Sequence, residues 1–162
     1  MIVVVADTSP LNYLVRIHGQ DLLFILYERV LVPTAVIKEL DDSRTPVIVR
    51  AWLSHLPEWI DVREVLSPPD AALMELGPGE REAIQLAHDE HADLLLIDER
   101  IGVSAARRRG LAVTGTLGVL IQAARYGSVD IEAALRDLQT TDFRCTEELY
   151  QQARDLAKRS PI

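Results

Sequence analysis

One cysteine, few aromatic residues and too little basic charge set the first limits on this chain. Cys145 has no partner for an intramolecular disulfide and no companions for a thiolate zinc cluster. Lysine and arginine number 17 against 25 aspartates and glutamates, a formal net charge of −8. Phosphate neutralisation by basic side chains is therefore excluded as the sole basis for holding nucleic acid. A polyanionic substrate stays open if a bound divalent cation reverses the field locally, because such an ion is often the largest charge in its site. No uninterrupted apolar run approaches the ~20 residues that a membrane-spanning helix needs, so no membrane segment is expected. The chain enters strand-like sequence without a charged lead, a long apolar stretch and a cleavage site, and a cytoplasmic protein is the expectation.

What the 162 residues do hold, with 48% of them apolar, is enough for one domain with a real core. Residues 2–6, "IVVVA", are apolar without alternation and read as a strand buried on both faces. A helix is expected from Pro10, with Ser9 as its N-cap and proline at its first position. Helices follow over 21–28, 33–40 and 46–55, with a short strand at 30–32 between the first two. "WIDVREV" alternates as an edge strand would, and "SPPDAALMELGPG" is turn and loop sequence around a short helical piece. The amphipathic "GEREAIQLAHDEH", the buried strand "ADLLLID", a helix over 100–109 and the short strand "LAVTG" come next. Helices from 116 to 126, 130 to 138 and 146 to 158 complete the pass. Strands alternating with helices predict an α/β fold, a parallel sheet covered on both faces. Residues 1–139 form the expected domain, and 140–162 a C-terminal helical extension that could be a peripheral appendage.

Four carboxylates stand out by position. Asp7 and Asp98 each end a buried strand, and in open parallel sheets ligands bind beyond the carboxyl ends of strands. On neighbouring strands, about 4.8 Å apart, two such groups would raise each other's proton affinity unless a cation lay between them. A helix cap or a bond to a loop amide is the plainer role for either one alone. Glu80 shares a helical face with Ala83, Ile84 and Ala87, whereas Glu82 falls off it. Glu80 could equally complement the helix dipole after Gly79. Glu39 lies at the edge of the stripe formed by Val36, Ile37 and Leu40, where a solvated role is ordinary. Clustering four buried carboxylates is prohibitive without compensation. Two divalent ions would balance about four negative charges, and hard oxygen donors suit Mg²⁺ or Mn²⁺ rather than zinc.

The ordered set "ADTSPLNYL" with Asp7, "VLVPTAVIKEL" with Glu39, "LGPGEREAIQLA" with Glu80 and "ADLLLIDER" with Asp98 resembles the PIN domains. It is similar in particular to the small prokaryotic PIN proteins that include the VapC-type toxin ribonucleases. In that family an aspartate followed by threonine ends the first strand, a glutamate follows on a later helix, and an acid opening another helix precedes the last aspartate by roughly eighteen residues. The separation of Glu80 from Asp98 matches this spacing. The resemblance covers about residues 2–126 and implies a three-layer α/β/α fold with a central parallel sheet. It further implies Mg²⁺- or Mn²⁺-dependent cleavage of an RNA substrate, with Asp7, Glu39, Glu80 and Asp98 as metal ligands and catalytic residues. An antitoxin protein partner and a homodimer are implied as well. A glutamate at position 80, where the toxins more often carry aspartate, departs from the pattern. On this reading Thr8 and Ser9 would hold the Asp7 carboxylate or a metal-bound water.

Other features have simpler explanations. Arg107, Arg108 and Arg109, with Arg100, could form a basic rim for RNA, but they also fit a solvated helix end near its negative pole. His88 and His91 lack a third metal ligand on their face, and Trp52 and Trp59 read as core or interface aromatics. Thr116 reads as an N-cap whose helix terminus could receive a phosphate. Two rival classes remain. A PIN-like module could bind RNA or protein without cutting it. A phosphate-accepting signalling domain or a haloacid-dehalogenase-type phosphatase also places acids at strand ends. The signalling domain needs paired acids at its first strand and a late lysine, which "VVVADTS" and "LAVTGT" do not supply. The phosphatase needs an aspartate where this chain has Ser9.

Overall fold

Val4–Ala6 forms β1, the middle strand of a sheet that the rest of the chain builds outward in both directions. The structure, a computed structural model, describes residues 2–161. Met1 and Ile162, at the outer ends of the two stretches expected from the sequence, lie outside the described residues. Helices α1 (Thr8–Arg16) and α2 (Asp21–Tyr27) lead to β2 (Val30–Pro33). Helices α3 (Thr34–Leu40) and α4 (Val47–Leu53) lead to β3 (Ile60–Arg63). A single 3₁₀ turn at Ala71–Leu73 precedes α5 (Pro78–Asp89), β4 (Leu94–Leu96), α6 (Arg100–Arg108) and β5 (Val113–Thr114). Helices α7 (Thr116–Arg125), α8 (Ile131–Gln139) and α9 (Glu147–Ala157) close the chain.

The strand order is β3-β2-β1-β4-β5, and every pairing is parallel. The chain therefore winds one way from β1 to β3, then crosses back to place β4 on the other side of β1. The reversal between β1 and β4 is the switch point at which open α/β sheets bind ligands. Register there is fixed by Val4 opposite Leu94, Val5 opposite Leu95 and Ala6 opposite Leu96.

The pleat sorts the strand side chains into two cores, as period-2 geometry requires. Val4, Ala6 and Leu96 face a larger core completed by α1, α2, α7, α8 and α9, whereas Val5, Leu95 and Ile97 face a smaller one completed by α5 and α6. Three layers result, and both faces of β1 and β4 are dry, which is why their sequences are apolar without alternation. β3 alternates because it lies at the edge of the sheet.

Local signals explain most element boundaries. Helix α5 starts after Gly77 with Pro78 in its first turn and Glu80 near its positive end. Asp130 caps α8 through the Ala133 amide (3.1 Å), and Thr146 caps α9 through the Leu149 amide (3.2 Å). The start of α1 differs from the sequence expectation. Asp7, not Ser9, occupies the N-cap position, and Pro10 is the third helical residue. Proline fits there because the amide it lacks has no partner within the helix in any case. In the C-terminal stretch, Tyr150, Ala153 and Ala157 of α9 are buried in the larger core.

Candidate active site

Parallel pairing of β1 with β4 sends Asp7 and Asp98 out of the same end of the sheet, at the switch point. The Asp7 amide donates to the Leu96 carbonyl (2.9 Å), which extends the ladder one residue beyond the strand and holds the aspartate at its mouth. Asp7 is 2% exposed. Although it sits at the N-cap position of α1, its side chain makes no capping bond, and its Oδ1 is buried without a hydrogen-bond partner. Burial pushes its pKa up to about 7, an effect opposed by the Thr8 amide and reinforced by the negative charges of Glu80, Glu39 and Asp98. The carboxylates converge on Asp7 closely enough to resist its ionisation.

The surrounding acids are held by specific donors. Glu39, on α3, accepts from the Thr8 hydroxyl (2.6 Å) at Oε2 and from the Gly79 amide (2.8 Å) at Oε1. Asp98 accepts from the Thr116 amide at Oδ1 and from the Thr116 hydroxyl at Oδ2, both at 2.7 Å. Burial raises the Asp98 pKa, the two Thr116 bonds oppose the rise, and Glu99 adds to it. Glu80, in the first turn of α5, is raised by burial and then by Glu99 and Glu39. Three glycines make room for this crowding. A Cβ at Gly79 would overlap the Glu39 carboxylate, one at Gly115 the Asp98 carboxylate, and one at Gly102 would come within 2.7 Å of Glu80 Oε2.

Several expected roles change. Thr8 binds Glu39 rather than the Asp7 carboxylate, because α1 starts at Thr8 and carries its hydroxyl towards α3. Ser9 is neither the cap nor a partner of Asp7; it lines a neighbouring cleft. Gly115 holds the cap position of α7, which frees the Thr116 side chain and amide to hold Asp98. Glu82 accepts from the Ala35 amide (3.2 Å) at the start of α3, which leaves Glu80 as the α5 acid beside Glu39. His88 is exposed next to Asp89, and Trp52 and Trp59 pack partly buried against the larger core.

The four acids do not form a ready-made ligand set: among the described residues, no three His, Cys, Asp or Glu side chains stand together as a group that could hold an ion directly. Both oxygens of Glu39 and both of Asp98 already accept hydrogen bonds from the protein. Each carboxylate oxygen has a second lone pair to offer. Mg²⁺ keeps several waters and takes one or two protein carboxylates directly. A pocket with one unpartnered buried oxygen, on Asp7, and further carboxylates around it fits that hydrated mode, and its all-oxygen donors suit a hard divalent cation.

Some candidates escaped the sequence reading. Glu99 presses on both Glu80 and Asp98, and its only signal was adjacency to a strand-end aspartate. A cleft of about 710 Å³ opens beside Asp98 and Glu99, lined also by Arg100, Arg107 and the segment Asp142–Cys145. The arginine run splits by face: Arg109 pairs with Asp70, Arg107 reaches the cleft and Arg108 is exposed. Nothing in residues 142–145 pointed to this place, because the α8–α9 connection comes back to the sheet edge only through tertiary packing.

The fold is similar to that of a PilT N-terminus domain protein from the hyperthermophilic archaeon Sulfolobus solfataricus P2. The TM-score is 0.56, sequence identity is 18%, and the match covers 80% of this chain and 95% of that one. No curated protein matches the chain significantly. The family model DUF3368, described as a PIN domain, matches residues 3–159, nearly the whole length. The chain belongs to the PIN-domain family.

Proposed function

We propose that this PIN domain is a Mg²⁺- or Mn²⁺-dependent endoribonuclease that hydrolyses RNA phosphodiester bonds, and that it acts as the toxin of a toxin–antitoxin pair. PIN domains are generally nuclease modules that use divalent metals. The observation that carries the reading is the buried, unpartnered Oδ1 of Asp7 facing the charges of Glu39, Glu80 and Asp98 at the switch point. Metal bound there would polarise the scissile phosphate and lower the pKa of an attacking water. The chain's own part is positional. Thr8 and Gly79 fix Glu39, Thr116 fixes Asp98, and the dry walls around Asp7 keep its carboxylate from being solvated away. Glu80 and Glu99 add negative charge beside the pocket. The antitoxin partner, the homodimer and a cytoplasmic setting follow from the family resemblance and the composition.

The test compares wild type with Asp7→Asn on a mixed RNA pool in Mg²⁺, in Mn²⁺ and in EDTA. Cleavage is expected only for wild type with metal, and equal cleavage by Asp7→Asn would remove the proposal's basis. The hydrogen bonds already made to both oxygens of Glu39 and of Asp98 favour a second reading, an RNA- or protein-binding module that does not cut. Calorimetry separates the two, since a non-cutting module would bind RNA without binding Mn²⁺.

A further inference from the structure

Among the described residues, six of the fifteen arginines in this acidic chain form ion pairs with carboxylates: Arg16, Arg29, Arg44, Arg63, Arg109 and Arg154. Arg100, Arg107 and Arg144 form none among the described residues, and all three line the cleft beside Asp98 and Glu99. Two come from α6, and Arg144 comes from the α8–α9 connection. That connection is pinned where it lies. Asp142 accepts from Arg16 of α1 (2.5 Å), and Phe143 meets Tyr13 edge to face, with centroids 5.1 Å apart and planes at 84°. Arg16 also sits over the Tyr13 ring at 5.5 Å, which locks the same corner from its other side. Phe143 is only partly buried and lines the cleft.

We propose that the segment Asp142–Cys145 is a substrate-positioning element. Arg144, with Arg100 and Arg107, holds phosphates of an unpaired RNA strand next to the acid pocket, and Phe143 supports one of its bases. The assignment rests on the nuclease reading for its purpose and on the cleft for its geometry. Guanidinium groups free of internal partners suit phosphate oxygens, which accept the planar fork of donors. A fixed aromatic ring suits the π-face of a base, which is available only when the base has left its pair. The chain as a whole is negative, and Asp98, Glu99 and Asp142 also line the cleft, Asp142 being paired with Arg16, so the three unpaired guanidinium groups are what the cleft offers a phosphate.

The test is fluorescence anisotropy with a labelled, unstructured single-stranded RNA and the corresponding duplex, in EDTA from 50 to 200 mM salt. Wild type should prefer the single strand. Arg144→Ala should weaken binding and lower the salt slope by about 0.7, the value for one phosphate contact on a single strand, and Arg144→Lys should restore the slope. Phe143→Leu, which keeps an apolar side chain there but removes the ring, should weaken binding roughly 5- to 100-fold with the slope unchanged. Arg136→Ala, exposed on α8 and outside the cleft, is the control for net charge. Thermal melts show that each variant is folded, and in metal the same variants should raise KM more than they lower kcat. Binding by both cleft variants equal to that of Arg136→Ala, no preference for the single strand, or no RNA binding by wild type would each overturn the proposal. Because EDTA removes cleavage from the binding measurement, intact cleft-dependent binding without metal-dependent cutting would sink only the nuclease reading. Cutting that ignores Arg144 and Phe143 would sink only the positioning role.

Discussion

Asp7 carries a carboxylate to a place that water does not reach, and its pKa records the cost. Its ordinary value is 3.8 and its value in the folded chain is about 7, so the folded state binds the proton more tightly than the unfolded state. Ionising it therefore removes stability as pH rises from about 4 to about 7, and the whole penalty is present above that range. Asp7→Asn should melt several degrees higher than wild type at pH 8 in EDTA, since about 1 kcal/mol moves the Tm of a domain this size by ~2–4 °C. The gap should narrow on acidification and close near pH 4, and Mn²⁺ should raise the wild-type Tm alone. Calorimetric melts across pH measure all three, and identical melting at pH 8 would show that Asp7 is not under electrostatic stress. The neighbouring glutamates illustrate how two like residues two positions apart take different work. Glu80 faces the pocket, whereas Glu82 turns to the start of α3.

Elements bring these residues together by exclusion as much as by attraction. Helix α6 can pass close to α5 because Gly102 has no side chain where Glu80 Oε2 and Ile97 Cδ1 lie, 2.7 and 2.6 Å from an added methyl. Gly102→Ala should keep its helical circular dichroism, change stability by no more than about 1 kcal/mol because better helix propensity offsets the shift of the Ile97 and Glu80 side-chain ends, and displace Glu80. Metal-dependent cleavage should then fall roughly 10- to 100-fold, the usual effect of disturbing groups around a metal site. Ser104→Ala, exposed on the same helix, should change neither quantity. The element pattern itself was largely legible, because burial on both faces leaves unbroken apolar runs such as "VVVA" and "LLLI". The start of α1 was not, since Asp7, Thr8 and Ser9 are all competent caps and only the pull of Glu39 on Thr8 and of the sheet on Asp7 selects among them. In the same way Thr116 read as a cap, when the adjacent Gly115 takes that position and leaves Thr116 to Asp98.

At the scale of the whole molecule, the last helix packs into the larger core. Helix α9 buries Tyr150, Ala153 and Ala157 against the core that β1 and α7 share, and the connection before it walls the cleft. Removing residues 147–162 should therefore broaden and lower the thermal transition, with exposed core surface that binds a hydrophobic dye. A truncated chain with the wild-type Tm would mean that α9 is dispensable to the fold. The net charge of −8 acts at this scale too, since the field of the whole chain repels polyanions and leaves their retention to individual guanidinium groups such as those of the cleft.

Chain order and residue type alone determined the alternation of strands and helices, the two strand-end aspartates and the acids spaced to join them, because periodicity and charge are local properties of a sequence. The strand order that makes β1 and β4 neighbours, the glycine-sized gaps that admit Glu39, Glu80 and Asp98, and the return of residues 142–145 to the sheet edge were decided only by tertiary packing. Contacts between residues distant in the chain depend on which surfaces can exclude water together, and no local pattern encodes that choice.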